Sequence, residues 1–242
     1  MRRAIRSFGV ALVALCLCGA LGCSRDGNPR ETSSPGRTVT KESDAAAEIR
    51  HLALGDSFTA GTGTSIEHAF PSRLAARWRA RGKRVILKNV AVNGFTTDDV
   101  LRVEIPEIAP FRPTLVTIAV GANDRVRGDG PEKYRAQARA VLKAIVDAGV
   151  PPRRIVALPQ PDWSVSPIAA SFGDPSVLAN DIIAFNRVLR EEAEATGARY
   201  VDLFPLMRKE ADAKMLAPDG LHPSAEAHDE WAAALEEPLL EP

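Results

Sequence analysis

The chain has 242 residues, 45% of them hydrophobic, and its 31 basic and 31 acidic side chains cancel. That length allows one domain with a substantial core and leaves two full domains small. The zero net charge removes the basic surplus that binding to a nucleic-acid backbone requires.

The first 22 residues read as a secretory leader: Arg2, Arg3 and Arg6 precede an uncharged apolar stretch from Phe8 to Leu21. The stretch is shorter than the roughly 20 apolar residues a membrane span needs, and Gly9 and Gly19 interrupt it. Ala20-Leu21-Gly22-Cys23 resembles the cleavage site of bacterial lipoproteins, although Ala20 stands where that pattern usually carries Leu. The resemblance implies that Cys23 becomes the lipidated N-terminus of an exported, membrane-anchored protein of the bacterial cell envelope. With Ser24 rather than Asp after it, the outer membrane is expected where a cell has two. All three cysteines, Cys16, Cys18 and Cys23, lie in this region, so the mature chain can form neither an internal disulfide nor a cysteine metal site. Removing a leader that holds three arginines and no acid leaves a net charge of about −3.

Residues 23–47 are dominated by Ser, Thr, Gly, Pro and charge, the composition of a tether. From residue 48 to 242 the pattern is that of one folded domain. Apolar runs of strand length lie near 49–54, 85–92, 115–120, 154–158 and 199–203, and amphipathic helices near 70–81, 97–105, 131–148, 176–196 and 224–235. The third helix shows the period plainly, with Tyr134, Ala138, Val141, Leu142 and Ile145 on one face, and Gly149 and Pro151 end it. Alternating strands and helices predict an α/β fold: a three-layer α/β/α sandwich around a five-stranded parallel sheet, in flavodoxin-like order.

On such a frame the residues after each strand share one rim, where open parallel sheets bind their ligands. Ser57 follows the first strand, Asn93-Gly94 the second and Gly121-Ala122-Asn123-Asp124 the third. Asp219-Gly220-Leu221-His222 leads into the last helix and can fold back over that rim. The four segments supply a hydroxyl, an imidazole, a carboxylate and amide donors.

Block by block, these residues resemble the SGNH/GDSL hydrolase family. Gly55-Asp56-Ser57 looks like the nucleophile block, Asn93-Gly94 the glycine block, Gly121-Ala122-Asn123-Asp124 the Gly-x-Asn-Asp block and Asp219-Gly220-Leu221-His222 the Asp-x-x-His block, in family order. Phe58 departs from the Leu that the family's older name implies. The resemblance implies a serine hydrolase cleaving carboxylic esters of small molecules or lipids, with no metal or organic cofactor. Acyl-transfer chemistry assigns the roles: Ser57 as nucleophile, His222 as its base, Asp219 orienting the ring, and an oxyanion hole from the N–H groups of Ser57 and Gly94 and the Asn123 amide. Three alternatives stay open at this level. The same residues could remove O-acetyl groups from an envelope glycan, the fold could serve as a non-catalytic binding lipoprotein, and Asp202 could orient a histidine. The long connection from Pro159 to Pro175, with Trp163 and Phe172, either shapes an acyl pocket or is an ordinary surface loop.

Overall fold

Each of the five apolar runs becomes a strand. The computed structural model describes residues 48–240, and in it β1 (Ile49–Gly55), β2 (Val85–Asn89), β3 (Leu115–Ala119), β4 (Ile155–Ala157) and β5 (Arg199–Tyr200) form one parallel sheet in the order 2-1-3-4-5. This is the flavodoxin-like order. The leader, Cys23 and the tether lie outside the described residues. β1 is hydrogen-bonded on both sides, and Leu52, Ala53 and Leu54 are wholly buried, as an uninterrupted apolar run requires of a strand covered on both faces. Gly55 pairs with Ala119, and Ile118 with Ala157, so the carboxyl ends of these three strands are level.

Helices cover both faces. On one, Leu52, Leu54, Val116 and Ile118 pack against α6 (Pro131–Asp147) and α7 (Pro175–Thr196). On the other, Leu115, Ala119 and Val156 meet α2 (Phe70–Ala80), α8 (Phe204–Asp212) and α9 (Ala225–Leu235). The period-2 alternation along β3 divides the core between the layers. A third, smaller apolar cluster of Phe58, Ala122, Trp163, Ala169, Leu178 and Ile182 lies apart from both.

The continuous helix expected over 97–105 is replaced by a change of winding. α3 (Thr97–Asp99) passes into a π-helical turn over Val100–Glu104, a 3-10 turn over Ile105–Glu107 and then α4 (Ile108–Phe111). Pro106 explains this: its nitrogen cannot donate, and in a regular helix its ring would strike the carbonyl four residues back. The wider turn instead takes the Ile105 N–H to the Val100 carbonyl, five residues back.

Two strands, β2 and β5, end three residues sooner than expected because a polar side chain draws the chain away. Asn89, the last residue of β2, accepts the Ala91 N–H at 3.1 Å and donates to the Thr59 carbonyl at 2.9 Å. Beyond β5, Asp202 accepts the Phe204 N–H at 3.1 Å and opens α8, a helix the hydrophobic pattern did not single out. Two short helices on the rim were also unforeseen, α1 (Ser57–Ala60) and α5 (Ala122–Val126).

Candidate active site

Ser57 is presented by an abrupt end to β1. Gly55 sits at φ +144°, where a Cβ would lie 2.2 Å from the Ala119 carbonyl oxygen, so only glycine lets the two strands finish this closely. The chain then turns straight into α1, with Ser57 its first residue and the Asp56 carboxylate capping it by accepting the Phe58 N–H at 3.1 Å. Among the described residues the Ser57 N–H has no backbone partner and its hydroxyl no side-chain partner. Both remain available to a ligand.

His222 is held by a loop that folds on itself. Ala217 N–H donates to the His222 carbonyl at 2.7 Å, and Ser224 N–H to the Met215 carbonyl at 2.9 Å. Inside this closure, one Asp219 oxygen accepts the N–H groups of Leu221 and His222 at 2.9 and 3.0 Å, while the other stands 2.7 Å from His222 Nδ1. That contact places the ring proton on Nδ1 and leaves Nε2 as an acceptor. Partial burial pushes the Asp219 carboxyl upward, but the hydrogen bonds from the His222 ring and the two N–H groups together outweigh it and hold the group below the usual carboxylate range. The Phe58 ring lies 5.5 Å from the imidazole, so the residue that departs from the family name packs against the histidine.

The amide donors come from two segments tied together. Asn123, on α5, gives one side-chain N–H to the Phe95 carbonyl at 3.0 Å and keeps the other. Its neighbour Asp124 is buried, accepting the Thr97 N–H at 3.1 and 3.2 Å and the Thr97 hydroxyl at 2.5 Å. Asp124 thus fastens the segment after β2 to the segment after β3 and does not reach His222. Gly94 lies one residue before Phe95 in the segment so fastened, with φ +84° and no hydrogen bond to its N–H among the described residues. Among the described residues, its chain neighbours aside, no atom stands within 4 Å of where its Cβ would be, so the left-handed backbone, rather than crowding, calls for glycine there.

Ser57, Asn123 and His222 share one small cleft, together with Phe58, Ala122, Val126, Trp163, Phe172 and Leu221. Asp219 stands behind His222, and Gly94 lies beside Asn123 but outside the lining. Asp202 is elsewhere, on a surface depression with Arg190 and Tyr200. Of the other histidines, His51 bonds the Thr117 hydroxyl in the core, His68 bonds Ser65 at the surface, and His228 is buried between Phe70 and Trp231. Among the described residues no grouping of His, Cys, Asp and Glu could hold a metal ion.

Sequence reasoning passed over Glu104. Its side chain is fully buried, and one oxygen accepts the Gly55 N–H at 2.8 Å, bracing the strand end that carries Ser57. Burial, then the negative charges of Asp56 and Asp99, push this carboxyl up to about 8 against the pull of the Gly55 bond. Burial likewise lifts Asp56 to about 7. The signal in the sequence was an acid set between Val103 and Ile105, two residues before Pro106.

Comparison with known proteins identifies the family and the fold. Residues 53–230 match the model of the GDSL-like Lipase/Acylhydrolase family. The chain is 27% identical over 210 residues to thioesterase 1/protease 1/lysophospholipase L1 of Escherichia coli K12, covering 81% of this chain and 87% of that protein. It is 34% identical over 104 residues to an arylesterase of Vibrio mimicus, a match spanning 43% of this chain and only 52% of the arylesterase. Among solved structures, a lipase/acylhydrolase from Enterococcus faecalis superposes with a TM-score of 0.65 at 23% identity, covering 79% of this chain and 95% of that one. The esterase EstA from Pseudoalteromonas superposes at 0.61 with 21% identity, covering 79% and 98%. At these identities the superpositions establish the shared fold.

Proposed function

Since the chain belongs to the GDSL-like lipase/acylhydrolase family, we propose that it is a carboxylic-ester hydrolase working through an acyl-enzyme on Ser57. His222 Nε2 takes the Ser57 proton as the oxygen attacks the ester carbonyl. The negative charge that moves onto the carbonyl oxygen meets the N–H groups of Ser57 and Gly94 and the free N–H of Asn123. Collapse of the tetrahedral intermediate breaks the bond to the alcohol, which leaves with the proton from His222. Water then repeats the sequence on the acyl-enzyme, with His222 again as base, releasing the acid and restoring Ser57. Asp219 holds the ring in the required tautomer and offsets its charge when protonated.

One observation carries this reading: the Asp219–His222 pair, closed at 2.7 Å, opens on a cleft shared with Ser57 and Asn123. The bond from Ser57 to His222 is not made in the resting geometry, and such bonds commonly tighten once substrate is seated. The arylesterase and thioesterase names of the relatives agree with ester chemistry. The proposal extends to location: the leader and Cys23 support an envelope enzyme held by an N-terminal lipid.

The test is a panel of p-nitrophenyl esters with wild type and Ser57→Ala, alongside labelling by a fluorophosphonate. Loss of about 10⁴–10⁶ in turnover, with labelling of the wild type alone, is the expected outcome. Near-normal turnover by a folded Ser57→Ala protein would overturn the assignment.

A further inference from the structure

The segment from Pro159 to Pro175 is fastened at both of its aromatic residues. Asn186 on α7 accepts the Gln160 N–H and donates to the Gln160 carbonyl, each at 2.9 Å, and the Gln160 side chain in turn accepts the Trp163 indole N–H at 2.9 Å. Trp163 is 4% exposed. Phe172 stands edge-on to it, with ring centroids 5.4 Å apart at 85°. Arg125, two residues from Asn123 on α5, donates to the Phe172 carbonyl at 2.9 Å and pairs with Asp181 of α7 at 3.0 Å. Ser166 adds a bond to the Gly220 carbonyl at 2.6 Å, in the loop that carries His222. The segment is therefore a wall braced to the catalytic loops.

Trp163 and Phe172 are the cleft-lining residues that those loops do not supply. The cleft has a volume of about 70 Å³. At the roughly 30 Å³ that each water-sized group occupies, a cleft of this size, open at its mouth, seats a short acyl group rather than a long one. A second cavity of about 20 Å³ adjoins the cleft, lined by Met207, Met215, Leu216 and Trp231 among others, with the acids Asp162 and Glu210 also on its wall. Both cavities are lined by Trp163 and Leu221. The indole thus stands between the reacting centre and a second, mostly apolar recess.

Resting on the esterase reading above, we infer that this protein acts on esters of short acyl groups, acetyl to butyryl, and that Trp163 is the residue that sets this limit. Longer chains would have to displace a side chain tied by its own N–H and packed against a clamped phenylalanine. Truncating the indole would join the cleft to the Met207–Met215 cavity and admit them.

The experiment compares kcat/KM for p-nitrophenyl acetate, butyrate, octanoate and decanoate, so that the alcohol stays constant and only the acyl group changes. Wild type should favour acetate or butyrate over octanoate by about tenfold or more, since even one ill-fitting methylene can cost that factor. Trp163→Ala should raise the octanoate-to-acetate ratio by about tenfold or more, and Trp163→Leu, which keeps apolar bulk at the site, should raise it less. The leucine variant decides the matter if the alanine variant does not fold. A wild type that handles octanoate as well as acetate would overturn the inference, as would an unchanged ratio in a folded variant. Absence of turnover on every ester, with no fluorophosphonate labelling of Ser57, would instead overturn the esterase reading itself.

Discussion

Asn123 carries two jobs on one amide, and substitution separates them. One N–H holds the Phe95 carbonyl, and the other is free for the developing oxyanion. Asn123→Ala should lower kcat by about 10²–10³. Losing the Phe95 bond should cost about 1 kcal/mol, which in a domain of this size lowers the melting temperature by only about 2–4 °C. A calorimetric scan beside the kinetics checks both, and a large thermal loss with near-normal turnover would make Asn123 a turn residue. Asp219 is the second such case. Its two hydrogen bonds from backbone N–H groups can survive in Asp219→Asn through the amide oxygen, so the loop should keep its form. The ring then faces a group that no longer requires Nδ1–H, and kcat/KM should fall by about 10⁴. Full activity in that variant would show that the 2.7 Å contact is structural only.

Among the elements, the π-helical turn at Val100–Glu104 has the clearest functional consequence, because it delivers a carboxyl to the end of the strand that presents the nucleophile. Glu104 and Asp56 are lifted to about 8 and about 7, so the folded protein keeps protons that the unfolded chain releases above its ordinary carboxylate pKa. The stability this represents is complete below that ordinary value and is lost as pH rises through 7 and 8. His51 and His228 work in the opposite direction. Burial lowers them to about 3 and about 4, so their share is present above the ordinary histidine value and is lost as pH falls. The melting temperature should therefore peak in mildly acidic buffer and decline toward pH 8. Glu104→Gln should flatten the alkaline decline, since each proton held only by the folded state tilts stability by about 1.4 kcal/mol, or about 3–6 °C, per pH unit. An unaltered slope would mean that Glu104 is ionised in the fold.

The elements also show how far the sequence could be read. Strand order, the long helices and the rim that unites Ser57, Asn123 and His222 were legible because apolar periodicity and parallel pairing act over long, regular segments. The π turn was not, since Pro106 signals a break without saying how the backbone will repair it. Nor was the part played by Trp163, which depends on a contact between Gln160 and Asn186 that no local pattern encodes.

At the scale of the whole molecule, residues 1–47 and the folded domain answer to different physics. Each buried methylene of an acyl chain adds about 0.8 kcal/mol of membrane affinity, and stable anchoring takes more than one chain. If Cys23 carries such chains, wild type expressed with its leader should sediment with membranes while Cys23→Ala remains in the supernatant. Equal partitioning of the two would make the protein an ordinary secreted enzyme. The folded part carries a different consequence. Its reacting groups begin at Ser57, two residues past the first strand, and end at His222, just before the last helix, so they are separated by most of the domain. Parallel pairings between strands far apart in the chain must be in place before these groups meet, and such pairings form slowly because long loops have to close first. A chain released from the ribosome is thus without hydrolytic power until its closing segment docks. Recovered activity after denaturation then times the meeting of these distant segments, where a spectroscopic signal would report only an average over the whole fold.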